Sequence, residues 1–101
     1  MTSRILRSAK QTVADGMRFY ESQDAGLGPY FFSSIMSDLR SLKIYGGTHQ
    51  KFNDSYYRMV CTKFPYSIYY RLESLEISVY AVLDDRRDPE STEDLLGRLR
   101  A

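Results

Sequence analysis

The stretch Lys63–Pro89, KFPYSIYYRLESLEISVYAVLDDRRDP, decides the reading of this chain. Tyr66, Ile68 and Tyr70 alternate with Ser67, Tyr69 and Arg71, and Ile77, Val79, Ala81 and Leu83 alternate with Ser78 and Tyr80. A period of two places successive side chains on opposite faces of an extended strand, so the stretch predicts two strands, the second with a clean apolar face. Glu73-Ser74-Leu75 is the short connection between them, as in an antiparallel pair. Upstream, Tyr56, Arg58 and Val60 alternate with Tyr57, Met59 and Cys61, and Phe64-Pro65 marks a turn or strand edge, because proline cannot donate to a ladder. Three neighbouring strands in a meander follow.

Before Asp54 the period changes. Ala9, Val13, Met17 and Tyr20 recur at intervals of four and three, one face of a helix with Ser8 as its expected N-cap. Gly16 lies inside that pattern, where a close helix–helix crossing would account for it. Asp24-Ala25-Gly26-Leu27-Gly28-Pro29 forms a turn, and Pro29 suits the first turn of a second helix. Phe31 or Phe32, Ile35, Leu39 and Leu42 supply its apolar stripe, and Tyr45-Gly46-Gly47-Thr48 ends it. Ser3–Arg7 is short enough to open the chain as a strand. Past Asp84-Asp85-Arg86-Arg87-Asp88-Pro89 the segment 90–101 is a C-terminal tail. There Ser91-Thr92-Glu93-Asp94 reads as a capping box, and Leu95, Leu96 and Leu99 as a short amphipathic helix. The expected class is α+β: strand, helix, helix, three strands, with the helical hairpin on one face of a mainly antiparallel sheet and the other face open.

The 101 residues bound one domain, spanning 1–101, and 43% hydrophobic with 27% charged residues is globular composition. Net charge is +1, less than non-specific phosphate binding usually requires. Arg40, Lys43, Lys51, Arg58 and Lys63 stand against Asp54 alone, giving one basic edge. Cys61 is the only cysteine, which excludes an intrachain disulfide and a cysteine metal cluster and fits a reducing cytoplasm. MTSRILRSAK lacks the apolar run of a signal peptide, and no membrane span is expected.

Three motifs carry a resemblance. Tyr20-Glu21-Ser22-Gln23 with Gly26-Leu27-Gly28, then Lys63 to Arg71, then Ala81-Val82-Leu83-Asp84 with Arg86-Arg87-Asp88-Pro89 together resemble RelE/ParE toxins of bacterial type II toxin–antitoxin systems, most closely the ParE-like branch. The resemblance runs from residue 4 to residue 89. It implies the strand–helix–helix–three-strand plan, no cofactor and no metal. It also implies a cognate antitoxin as partner, possible higher-order toxin–antitoxin assembly, and a target: DNA gyrase for the ParE branch, which acts by binding, or the ribosome for the RelE branch, which cuts mRNA; a degenerate member that keeps antitoxin binding without toxicity is the further alternative.

RNA cleavage through the 2′-hydroxyl needs a base, cations for the developing phosphorane charge and a proton donor. By resemblance Arg58 stands where a second-strand cation is expected and Arg86 where a late arginine is expected. Ser67 and Val60 occupy positions where further cations would stand, and no tyrosine follows Arg87, which lowers the nuclease reading. His49 is the one histidine and titrates near neutrality, so Arg58, Arg86 and His49 form the catalytic alternative. No catalytic set is otherwise assigned. Lys51, Arg58, Lys63, Arg71, Arg86 and Arg87 are the expected contacts to antitoxin or target, set against a solvated sheet face as the plainer reading. Asp84, Asp85 and Asp88 flank Arg86 and Arg87, so one arginine is expected to pair locally and the other to meet a partner. Tyr57 or Tyr69 is expected to be exposed beside the cations. Cys61 reads as a packed apolar side chain, with no histidine or asparagine placed to activate it.

Overall fold

The computed structural model describes residues 1–100. A short strand β1 (Thr2–Ile5) leads into helices α1 (Arg7–Gln23) and α2 (Leu27–Tyr45). Strands β2 (Gln50–Lys51), β3 (Tyr57–Val60), β4 (Tyr66–Glu73) and β5 (Glu76–Asp84) follow, and α3 (Pro89–Arg100) closes the described chain. The sheet order is β1-β5-β4-β3-β2, with β1 parallel to β5 and every other pair antiparallel. The α+β class and the helical hairpin over one sheet face are as the sequence implied. The two-residue β2 has no periodicity to read and is an addition. The tail expectation reached Ala101, which lies outside the described residues.

The hairpin is clasped from within the first motif. The Glu21 carboxylate accepts from the backbone N–H of Gly26 at 3.1 Å and of Gly28 at 2.9 Å, so a side chain of α1 satisfies donors at the start of α2. Those two bonds hold the Glu21 carboxyl below its ordinary value. Gly26 has φ +89, a left-handed conformation that favours glycine, and a Cβ at Gly28 would stand 2.9 Å from the Met17 carbonyl oxygen. Gly16 permits the close crossing: a Cβ there would meet the Phe31 ring at 2.6 Å. Phe31 is the inward member of its pair at 0% exposure, whereas Phe32 is 42% exposed. Phe31 touches Tyr20, Phe64 and Tyr66 with ring centroids 4.9–5.1 Å apart, so the second motif's Phe-Pro-Tyr pins the β3–β4 turn beneath the hairpin.

Four expectations are corrected. Helix α1 begins at Arg7, with Leu6 at the N-cap; Ser8 instead donates its hydroxyl to the Tyr80 carbonyl at 2.6 Å. Helix α3 begins at Pro89, whose fixed φ and missing N–H suit the first helical position, so Ser91–Asp94 lie inside the helix and form no capping box. The apolar face of β5 is split. Tyr69 pairs with Ala81 and Tyr70 with Val79, which leaves Tyr80 as the extra residue of a β-bulge. Ile77 and Val79 therefore face the hairpin core together with Val82, while Ala81 and Leu83 turn to the opposite face. The fourth correction follows. That second face is not open, because α3 lies on it with Leu96 at 0% exposure against Tyr56, Tyr69, Ala81 and Leu83. Tyr56 donates its phenol hydrogen to the Leu96 carbonyl at 2.7 Å and ties the helix down.

The bulge has its own supports. Strand β1 ends at Ile5, and beyond Val79 the outer edge of β5 has no strand beside it. Ser8 and Thr12 of α1 take over there: Ser8 donates to Tyr80 O, and the Val82 N–H donates to the Thr12 hydroxyl at 2.9 Å. Ladder groups that lost a strand partner thus find side-chain partners.

Candidate functional site

The exit of β5 decides which cations are available. Asp85 is anchored by its own N–H, which donates to the Pro65 carbonyl at 2.8 Å, and this aims its carboxylate back across β4 and β3. One oxygen, Oδ1, accepts from the buried Ser67 hydroxyl at 2.6 Å and from the Arg58 guanidinium at 3.2 Å. Arg58 stands opposite Tyr69 in the β3–β4 register. Burial presses its pKa down, but the Asp85 carboxylate and the Tyr69 phenol outweigh that and raise it. Tyr69 is 5% exposed, so it supplies a wall and no free ring, contrary to its expected exposure. Burial raises its pKa.

Arg86 and Arg87 have separate fates. Arg86 binds Asp84 through two guanidinium bonds of 2.9 and 2.7 Å, with its backbone N–H on the same carboxylate at 2.8 Å. The hydrogen bonds from Arg86 hold the Asp84 carboxyl below its ordinary value, and the next electrostatic neighbours of Arg86 are the phenols of Tyr20 and Tyr66 on the hairpin side. The Arg87 side chain donates only to Ser91, to its hydroxyl at 2.9 Å and its carbonyl at 3.4 Å, and its Nε is buried with no partner. Arg58 and Arg87 line one cleft of about 200 Å³, with Phe52, Tyr69 and Asp85 as walls and Pro89 and Thr92 of α3 as roof.

Across Phe52 and Arg58 the cleft adjoins a wider hollow of about 430 Å³ that contains His49, Gln50, Lys51 and Val60. His49 is fixed from behind. Its Nδ1 lies 2.6 Å from the Tyr70 phenol oxygen, which already accepts the Gly47 N–H at 2.9 Å. With the oxygen already accepting from Gly47, this arrangement favours the phenol hydrogen on Nδ1 and the neutral ring's proton on Nε2. Burial lowers the His49 pKa, favouring that neutral ring. Lys51 lies over the Tyr57 ring, 5.2 Å from its centroid, and Tyr57 stacks on Tyr70.

The other expected contacts stand apart. Lys63 sits 5.4 Å over the Tyr30 ring at the hairpin-turn end. Arg71 lies 5.9 Å over Tyr80 with Glu73 at 3.9 Å. Cys61 is buried, and burial with the nearby Asp38 carboxylate pushes its thiol far up, as expected of a packed, unactivated cysteine. Of the catalytic alternative, His49 and Arg58 share the hollow and Arg86 does not line it.

Sequence reasoning missed the part played by Ser67, which stands where a cation was sought and instead orients Asp85. It also missed a groove on the outer surface of the hairpin. Val13, Ala14, Met17, Phe32, Met36 and Leu39 line an almost wholly apolar hollow of about 280 Å³ that continues past Ile5 into a second of about 220 Å³. Lys10, Arg40 and Lys43 border it. Phe32 was the available signal, since one of two adjacent phenylalanines on an amphipathic helix has to face outward.

No family model matches the sequence, and no curated protein matches it. Among solved structures the chain is similar to one from the "Chromosomal ParDE TA system from P. aeruginosa". The TM-score is 0.74 at 13% identity, over 81% of this chain and 92% of that one. The two chains share a fold. The α+β arrangement of a helical hairpin on a mixed sheet is thereby seen in a solved protein. No helix among the described residues is long and apolar enough to cross a membrane.

Proposed function

We propose that this chain is the toxin of a type II toxin–antitoxin pair, ParE-like, which arrests growth in the cytoplasm by binding DNA gyrase and is neutralised by a cognate antitoxin. The observation that carries this reading is the fold shared with the ParDE chain, joined to the three sequence motifs. Binding is favoured over catalysis because Arg86 is held in a bidentate pair with Asp84 on the hairpin side, away from Arg58. The antitoxin segment is assigned to the hairpin groove, where an amphipathic helix would bury its apolar stripe and set acidic residues against Lys10, Arg40 and Lys43. Pairs of this kind build larger assemblies through the antitoxin.

The second reading is a ribosome-dependent mRNA endonuclease, favoured by the meeting of His49, Lys51 and Arg58 in one hollow. Pulse-labelling of bacteria after induction of this chain alone separates the two. An early fall in thymidine incorporation supports gyrase. An early fall in methionine incorporation moves the target to translation and makes His49 and Arg58 the residues to substitute. Growth with neither change sinks the toxin reading.

A further inference from the structure

We propose that the cleft between Arg58 and Arg87 is a receptor for a single carboxylate, an Asp or Glu side chain of a partner protein, and that Asp85 sets its selectivity by standing in the site as an internal competitor. This proposal does not depend on the toxin reading.

Four observations converge. Arg87 has no acidic partner, and its buried Nε–H has no acceptor. A buried donor left unpaired is unfavourable, so an acceptor that reaches it is favoured. Arg58, across the cleft, is 36% exposed at its side chain and has one contact to Asp85, at 3.2 Å to a single oxygen. A guanidinium that can bind a carboxylate through two parallel bonds is here used through one. The Asp85 Oδ1 already takes the Ser67 hydroxyl, so the chain's own carboxylate shows the size and polarity of group the place accepts.

The charge in the cleft decides the class of ligand. Arg58 and Arg87 stand against Asp85, while Asp84 is cancelled by Arg86, which leaves one net positive charge. A singly charged oxyanion neutralises that, whereas a dianion leaves an excess negative charge beside Asp85. A nucleic-acid strand supplies single charges in series, but the roof of the cleft opposes it. Asp88, Glu90, Glu93 and Asp94 are all exposed around the start of α3 and would repel neighbouring phosphates. An isolated carboxylate on a protein segment escapes that repulsion.

The test follows the Nε–Hε signals of Arg58 and Arg87 by NMR in the whole chain at constant ionic strength. The probes are acetate, pyrophosphate, a capped glutamate-containing peptide and a short uridine oligonucleotide. Acetate and the peptide should move the Arg87 and Arg58 signals saturably, and R87Q should abolish the shift of the Arg58 signal while leaving the amide spectrum in place. D85N, an isosteric change, should shift the acetate-to-pyrophosphate preference toward pyrophosphate by about tenfold, the size expected for one unit charge removed at close range. The proposal is overturned if acetate leaves Arg87 unmoved, if D85N leaves the preference unchanged, or if the oligonucleotide binds Arg87 more tightly than the peptide. That last outcome would assign the cleft to nucleic acid. Should D85N fail to fold, the R87Q comparison and the peptide-against-oligonucleotide order still decide the question.

Discussion

Beneath the helical hairpin, β4 offers Tyr66, Ile68 and Tyr70, none more than 7% exposed, to a core that two long helices share. On the opposite face, Tyr56, Tyr69, Ala81 and Leu83 are covered mainly by α3, a helix of 12 residues seated through Leu95, Leu96 and Leu99 and one phenol bond, with Phe52 and Tyr80 at its edge. The first face is closed by interlocking aromatic rings, the Glu21 clasp and glycines that let backbones approach. The second is closed by one short element whose start roofs a cleft with an unpaired arginine. The motifs divide along the same line. Glu21, Gly26, Gly28, Phe64 and Tyr66 are consumed by architecture, and Arg87 from the third motif remains free for chemistry.

Substitutions on the two faces should reveal the difference. Phe31→Ala removes a ring at 0% exposure that joins both helices to β4 and the β3–β4 turn. Its expected cost is about 3–5 kcal/mol of global stability in urea unfolding. A loss under about 1 kcal/mol would mean that the hairpin face is not the cooperative core described here.

Leu96→Ala should cost less, about 2 kcal/mol, at the low end for a buried leucine because a terminal helix can loosen without opening the sheet. Hydrogen exchange sharpens the comparison. Amides of α3 should exchange faster in this variant, while those of Ile68 and Tyr70 stay protected. Uniform acceleration across both would show that the two faces unfold as one.

These contrasts were only partly legible in the sequence. The alternation over Tyr56–Cys61 and Tyr66–Arg71 survives intact because β3 and most of β4 pair without irregularity. In β5 the alternation Ile77-Val79-Ala81-Leu83 reads as one face, yet the bulge at Tyr80 flips its parity, and a bulge is fixed by tertiary partners such as Ser8 and Thr12, some seventy residues away. The hidden second face, and with it the seat of α3, follows from that slip. At the site, the expectation that one of the two arginines pairs locally matches the bond between Arg86 and Asp84. Which of them would be free depended on Asp85 choosing Arg58, a residue on another strand. His49 was visible, but Tyr70 was readable only as a core strand residue.

The hollow beside β2 offers a smaller effect. His49 should titrate below 6.5, and above its pKa its ring should show the Nε2–H pattern in nitrogen shifts. Because burial lowers the folded pKa beneath the unfolded value, the unfolded chain binds the extra proton first. The stability from this group is present above about 6.5 and is lost as pH falls through that window. Tyr70→Phe removes the donor to Nδ1 and should mix the two tautomers. An Nδ1–H ring in the parent chain would break the assignment.

The last effect is the faintest and tests the clasp itself. Glu21 has a folded pKa below the ordinary glutamate value, held down by the N–H groups of Gly28 and Gly26. A depressed carboxyl stabilises the fold above its unfolded pKa and ceases to as pH falls through the folded one. Glu21→Gln keeps an acceptor but no charge, so its stability relative to the parent should be lowest at neutral pH and converge on the parent's at pH near 3. Because the carboxylate is open to solvent, salt should shrink the difference at neutral pH. Equal differences at both pH values would mean that the clasp works through geometry alone, and that charge contributes nothing to the closing of the hairpin face.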